Sequence, residues 1–178
     1  AVSVDREKKA VTLRSGEEIG YDKLLFATGS LPMIPPTPGV NKRNVYPIKK
    51  DFEYLGEVFE AMKSVKDLVI IGGGFIGVEF ADELSKLPGI SVGIVEMLPH
   101  LLANSFDEEF STMAEDRLRE KGVDVLTNMR IDEIVGETKV EKVRFANGQE
   151  RLADAVILGI GSKPNVSLAQ DAGLETGN

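Results

Sequence analysis

The 178-residue sequence has no cysteine, no tryptophan and a single histidine, His100. Without cysteine there is no disulfide framework, no thiolate metal site and no redox dithiol in this chain. One histidine cannot build a zinc centre alone. Basic residues are also scarce: 21 lysines and arginines stand against 29 aspartates and glutamates, a formal net charge of −8. That balance argues against nucleic acid or an anionic membrane as the main partner. A phosphate-bearing ligand must then be held by backbone amides and local dipoles. No apolar run approaches the roughly 18 residues of a membrane span, and nothing resembles a signal peptide. A soluble cytoplasmic protein is the expectation. Ala1 leads straight into strand-like sequence with no initiator methionine, which suggests a piece of something longer.

What is present centres on Leu68–Glu79. Leu68-Val69-Ile70-Ile71 predicts a short buried strand, and Gly72, Gly74 and Gly77 follow at G-x-G-x-x-G spacing. A helical stripe of Ile76, Phe80, Leu84 and Leu87 opens there and stops at Leu87-Pro88-Gly89. In such a unit Gly72 permits the tight turn, Gly74 lets backbone approach a pyrophosphate, and Gly77 lets helix and strand pack closely. The phosphate would sit over amides near Gly74, Phe75 and Ile76, where the helix dipole favours negative charge, and Gly73 is taken as a further cofactor-binding residue of the loop. Ile90–Val95 reads as a second buried strand ending in Glu96, 19 positions after Gly77. That is close to the roughly 20 expected of the carboxylate that takes ribose hydroxyls. The alternative is a solvated acid at a strand end.

The remaining chain is read in order. Residues 1–30 predict β structure: Val2 and Val4, a charged turn at Arg6–Lys9, Val11 and Leu13, a second turn at Ser15-Gly16-Glu17, then Leu24-Leu25-Phe26 as a strand buried on both faces. The small residues Ala27-Thr28-Gly29 suggest another backbone or a flat ligand pressing close, or a plain strand end. Pro32, Pro35, Pro36 and Pro38 make a stiff connector, the best domain boundary in the chain. Asp51 is placed as the cap of a helix burying Leu55, Val58, Phe59 and Met62. After a loop at Met97–Asn104, Ser105 and Glu108 fit a capping box. Phe106, Phe110, Met113, Ala114 and Leu118 predict the core stripe of that helix, with Asp107, Glu109, Glu115 and Asp116 facing water. Gly122 closes the helix before a third parallel strand at Val123–Leu126. Ile131–Val135, Val140–Phe145 and a short strand at Arg151 predict an antiparallel meander, turned at Asn147-Gly148. Asp154–Gly161 returns as a buried strand, and Val166–Asn178 reads as a short helix or loop. The fold class is α/β: a Rossmann-like parallel sheet with helices on both faces and an antiparallel meander, preceded by a short β appendage.

Taken together, Tyr21–Ser30, Pro35–Gly39, Gly72–Glu79, Val95-Glu96, Phe106–Glu109, Asp154–Ile157 and Gly161 with Pro164-Asn165 resemble the pyridine-nucleotide-disulfide oxidoreductase family, especially its NADH oxidases and coenzyme A-disulfide reductases. The resemblance implies the end of a first flavin-domain segment (1–30) and an inserted NADH-binding domain (31–178). It implies NAD(H) as cofactor here and FAD on sequence absent from this chain, with flavin and interface domains of the same protein as partners and a homo-oligomeric full-length form. It also implies that the chain alone is inactive. By position, Gly72, Gly74 and Gly77 match the phosphate loop. Phe75 replaces a tyrosine that covers the nicotinamide pocket, Glu79 matches an acid near the nicotinamide, and Gly161 matches backbone lining that pocket. For Glu79 a first-turn acid favoured by the helix dipole is an equal alternative.

Two competing classes remain at this stage. A non-catalytic NADH-sensing module would use the same fold to bind or release a partner. A methyltransferase would place Glu96 on the ribose of adenosylmethionine, but would leave residues 1–30 and 154–165 without a purpose. Between dinucleotides, Glu96 predicts NADH over NADPH, because Met97, Leu98, Pro99 and His100 supply at most a histidine to offset a 2′-phosphate; Arg130 or Lys163 would have to fold back to do so.

Overall fold

The computed structural model describes residues 1–177; Asn178, the end of the run read as a short helix or loop, lies outside them. The chain divides into two units, Ala1–Leu31 together with the residues from Lys163 onward, and Pro32–Ser162.

In the first unit β1 (Ser3–Asp5), β2 (Ala10–Thr12) and β3 (Glu18–Gly20) form an antiparallel meander. Its first turn is tied by Asp5, whose carboxylate accepts the amides of Glu7 and Lys8 at 3.0 and 2.9 Å. The expected buried strand at Leu24-Leu25-Phe26 does not form, and Leu25 is 86% exposed. Three apolar residues in a row need ladder partners on both edges, and no strand among the described residues pairs there. Against Ala27-Thr28-Gly29 the close neighbour is another backbone: Asn165 donates its amide to the Gly29 carbonyl at 2.9 Å and its side chain to the Thr28 carbonyl at 3.3 Å.

After β4 (Ser30–Pro32), the second unit holds β5 (Val45–Pro47), α1 (Phe52–Met62), β6 (Asp67–Ile71), α2 (Phe75–Leu84), β7 (Ser91–Val95), α3 (Glu108–Glu120), β8 (Asp124–Leu126), β9 (Ile131–Val135), β10 (Lys142–Phe145), β11 (Glu150–Leu152) and β12 (Ala155–Leu158). The chain then continues through β13 (Ser162–Pro164), which pairs with β4, to α4 (Ser167–Asp171). Five strands make one parallel sheet in the order β5-β12-β6-β7-β8. β5 has no counterpart in the sequence reading. Its Pro47 removes a ladder donor, which confines the strand to an edge.

The strand order dictates the layers. From β5 to β6, β6 to β7 and β7 to β8 the chain moves the same way across the sheet, so right-handed crossovers put α1, α2 and α3 on one face. The return from β8 to β12 runs the other way and falls on the opposite face, where the β9–β11 meander sits. Packing agrees: Leu68, Ile70, Val92, Ile94, Ala155 and Ile157 meet Val58 and Met62 of α1, Ala81 and Leu84 of α2 and Leu118 of α3. Val69, Val95, Val156 and Leu158 meet Ile134, Val143 and Phe145 of the meander. The parallel sheet and meander match expectation, whereas helices on both faces do not: the meander takes the second face.

Helix details differ as well. In α1 Asp51 caps as expected, accepting the Tyr54 amide at 2.9 Å, but Phe59 turns outward beneath the Lys63 ammonium. α2 ends at Leu84, ahead of the Leu87-Pro88-Gly89 stop. α3 is capped by Asp107, which accepts the Phe110 amide at 3.3 Å, and not by Ser105. The amides of Ser105 and Phe106 are both bonded to the Leu102 carbonyl, so the chain is still turning at Ser105. The expected core stripe of α3 is also rotated. Phe106, Phe110 and Met113 are 45%, 57% and 62% exposed, while Ser111, Glu115 and Leu118 are buried.

Candidate functional site

The chain runs from β6 outward to β7, then returns to β12 on β6's other side. This makes the carboxyl ends of β6 and β12 the switch point of the sheet, where open α/β folds bind ligands. A cleft of about 780 Å³ lies there. Its lining comes from Ile71-Gly72, Gly74–Ile76, Val95–Leu98, Met129–Ile131 and Gly159–Gly161, with Pro35 and Thr37 of the proline-rich connector and Asn104 completing it.

The loop glycines have separable roles. Gly72 has φ of +107°, and a Cβ there would lie 2.6 Å from the Gly159 carbonyl oxygen, so turn and close strand packing both require glycine. A Cβ on Gly77 would lie 1.9 Å from the Gly72 oxygen; this glycine lets α2 seat on β6. Gly74 is different. Its backbone is extended (φ −77°, ψ −175°), open to any residue, and a Cβ there would meet nothing within 4 Å. The space it keeps clear belongs to the cleft. Gly74 also caps α2 without any side-chain hydrogen bond, leaving the first amides of the helix directed outward.

Glu96 stands at the end of β7, inside the lining. Each carboxylate oxygen accepts one amide: Oε2 from Gly73 at 2.7 Å and Oε1 from Leu98 at 2.8 Å. The acid is therefore held in one orientation, with two amide dipoles drawing on its charge and lone pairs left for further donors. Gly73 is consumed in this anchoring. Its amide goes to Glu96, its carbonyl accepts Leu102 at 2.7 Å, and a Cβ would collide with Leu101 and Glu96.

Of the sequence-derived residues, Gly72, Gly74, Phe75, Ile76, Glu96 and Gly161 come together in the lining. Gly73 and Gly77 lie behind it as supports, and Glu79 sits exposed on α2 outside it. Phe75 packs edge-on against Phe106, ring centroids 5.8 Å apart.

One group was missed, and a second was named without being placed. Glu115, read as solvent-facing, is 4% exposed and accepts the Leu101 amide at 3.0 Å, the His100 ring at 3.3 Å and Arg119 at 3.0 Å. It ties α3 to the Met97–Asn104 loop, whose Met97, Leu98 and Asn104 line the cleft. Its signal was only negative: an acid spaced four from Arg119 looks like any surface pair. Arg130, named from the sequence with Lys163 as a cation that could fold back into reach, is part of the lining, whereas Lys163 is not. Among the described residues no cluster of histidine and acidic side chains could hold a metal, and no helix is long and apolar enough to cross a membrane.

A glycine turn and an acid at the switch point of an open parallel sheet are features of the α/β class in which ligands bind at the carboxyl ends of the strands. The pyridine nucleotide-disulphide oxidoreductase family model matches residues 1–178, and the chain belongs to that family. It is 33% identical over 173 residues to a nitrite reductase [NAD(P)H] of Bacillus subtilis, covering 97% of this chain and 21% of that protein. Among solved structures it is similar to a ferredoxin reductase of Rhodopseudomonas palustris (TM-score 0.92, 32% identity, 99% of this chain, 43% of that one). A water-forming NADH oxidase of Lactobacillus brevis bound to NADH gives a TM-score of 0.82 at 26% identity, covering 94% of this chain and 38% of that one. The chain spans about a fifth to two fifths of the length of the curated relatives it first matches.

Proposed function

We propose that this chain is the NADH-binding part of an FAD-dependent oxidoreductase, with FAD and its domain carried on sequence outside these 178 residues. The observation that carries the reading is Gly74: neither backbone conformation nor internal packing requires a glycine there, and a side chain would only fill the cleft. A pyrophosphate close to the backbone supplies the missing reason. The start of α2 has no side-chain cap, its Gly74, Phe75 and Ile76 line that space, and the anchored Glu96 carboxylate offers acceptors to ribose hydroxyls. The apolar lining of Ile71, Phe75, Ile76 and Ile160 suits the flat faces of a dinucleotide. The bound dinucleotide supplies hydride to a flavin, while the residues of this chain bind and orient it. On this reading the chain alone has no oxidase activity, and further flavin and interface domains of the same, homo-oligomeric protein complete the catalyst.

Calorimetric titration of the chain with NADH and with FAD tests the proposal. NADH is expected to bind with one-to-one stoichiometry and FAD not to bind. Stoichiometric flavin on the purified chain, or no heat with NADH, would overturn it.

A further inference from the structure

The cleft has two charged residues in its lining, Glu96 and Arg130. Glu96 is accounted for by its two amides. Arg130 is not: among the described residues its guanidinium makes no ion pair or side-chain hydrogen bond, although the other arginines of the meander are matched, Arg144 to Glu133 and Glu150 and Arg151 to Asp124.

Its backbone, by contrast, is fixed. The neighbouring Met129 amide donates to the Glu96 carbonyl at 2.9 Å, and the Arg130 carbonyl accepts the Ala146 amide at 2.9 Å. The amide of Asn128, two residues before Arg130, donates to the Leu98 carbonyl at 2.9 Å. Arg130 is thus presented from a segment laced to the loop that carries the ribose-binding acid, on the same side of the cleft. A free guanidinium on a fixed stem is a planar, permanently charged fork matched to phosphate oxygens.

Resting on the dinucleotide reading above, we propose that Arg130 is a specificity-determining residue of this site, pairing with the 2′-phosphate of NADPH so that the cleft takes NADPH as well as NADH. Two features of the structure favour it. The amides of Gly73 and Leu98 draw on the Glu96 charge, which weakens its repulsion of a 2′-phosphate. Arg130 then adds an attraction that NADH, having only a hydroxyl at this position, does not engage. The NADH preference expected from Glu96 and the four residues after it is offset by a cation arriving from 34 positions away in sequence.

Dissociation constants for NADH and NADPH are measured by calorimetry for the wild type, Arg130→Gln and Arg130→Lys, at two ionic strengths. In the wild type the two nucleotides are expected within about tenfold of each other, with NADPH weakening more steeply as salt rises. Arg130→Gln is expected to weaken NADPH about tenfold or more, to change NADH less than about threefold, and to abolish the extra salt dependence. Arg130→Lys, keeping charge without the fork, is expected in between. A wild type that binds NADH but binds NADPH over a hundredfold more weakly would overturn the proposal and leave the dinucleotide site standing. An Arg130→Gln variant that shifts both nucleotides equally, or neither, would do the same. A wild type that binds neither nucleotide removes both readings.

Discussion

Gly77 sits so close beneath Gly72 that a Cβ on Gly77 would lie 1.9 Å from the Gly72 carbonyl oxygen, whereas one on Gly74 would meet nothing within 4 Å. One motif thus contains a glycine required by packing and a glycine required by nothing inside the chain. Gly77→Ala is expected to force α2 off β6, at on the order of 3 kcal/mol, a fall in Tm of roughly 6–12 °C for a chain of this size. Gly74→Val is expected to cost at most about 1 kcal/mol, through the weaker cap alone. Yet it should abolish NADH binding by calorimetry. An unfolded Gly74→Val would mean that packing does require this glycine, and a folded variant that binds normally would place the ligand elsewhere.

A second prediction concerns Glu115. Its carboxylate is the acceptor for the amide of Leu101, a fully buried residue, and Arg119 and His100 complete its partners. Glu115→Ala leaves that amide unmatched, at about 2–3 kcal/mol, so Tm is expected to fall by roughly 4–12 °C. Because Met97, Leu98 and Asn104 of the tethered loop line the cleft, NADH affinity should fall with it. Glu115→Gln keeps an acceptor and is expected to recover most of both losses. Equal Tm values for wild type and Glu115→Ala would refute the tether.

The contrast between Glu115 and Glu96 indicates what the sequence made legible. The strand, glycine turn, helix, strand and acid of Leu68–Glu96 are local: apolar runs of strand length, glycines at fixed offsets and a carboxylate at the right count can be read without knowing the neighbours. The hairpin at Asn147-Gly148 is local too, with Gly148 at φ +84° and the Asn147 side chain accepting the Gln149 amide at 3.0 Å. On α3, however, Phe106, Phe110 and Met113 repeat at helical spacing just as Ser111, Glu115 and Leu118 do. Hydrophobicity favours the first set, but the connection to the Met97–Asn104 loop buries the second. Arg130 could be named from the sequence but not placed, for the same reason. Its place in the cleft depends on backbone bonds to Glu96 and Ala146, and nothing in residues 126–132 announces them.

Acid should weaken the helical layer through Asp82. Lys121 hydrogen-bonds this α2 carboxylate from the end of α3, and Lys86 approaches it at 3.2 Å; together they hold its pKa below the ordinary 3.8. A depressed folded-state pKa gives stability that is present above the unfolded value and lost as pH falls through the folded one. Thermal unfolding between about pH 5 and pH 3 is therefore expected to decline less steeply in Asp82→Asn than in the wild type. Parallel curves would mean that the pair contributes nothing.

Glu96 combines two roles that one substitution can separate. Through Oε2 and Oε1 it accepts the amides of Gly73 and Leu98, which sets the glycine turn against the loop after β7. It also lines the cleft, where its remaining lone pairs are proposed to meet ribose hydroxyls. Glu96→Ala removes both roles, so it is expected to lower Tm by roughly 2–8 °C, from about 1–2 kcal/mol of lost acceptors at a half-buried site. NADH should weaken by about tenfold to a hundredfold, as for two charge-assisted hydrogen bonds. Glu96→Gln retains an oxygen for one amide and should keep most of the thermal stability. Its loss of negative charge also removes the remaining repulsion of a 2′-phosphate, so NADPH is expected to gain on NADH by several-fold, opposite in sign to Arg130→Gln. Measuring Tm and both dissociation constants on the same preparations separates the outcomes. A Glu96→Gln variant that is stable, with an unchanged ratio of NADH to NADPH affinity, would leave Glu96 a purely structural anchor and shift discrimination at the ribose to other groups of the cleft.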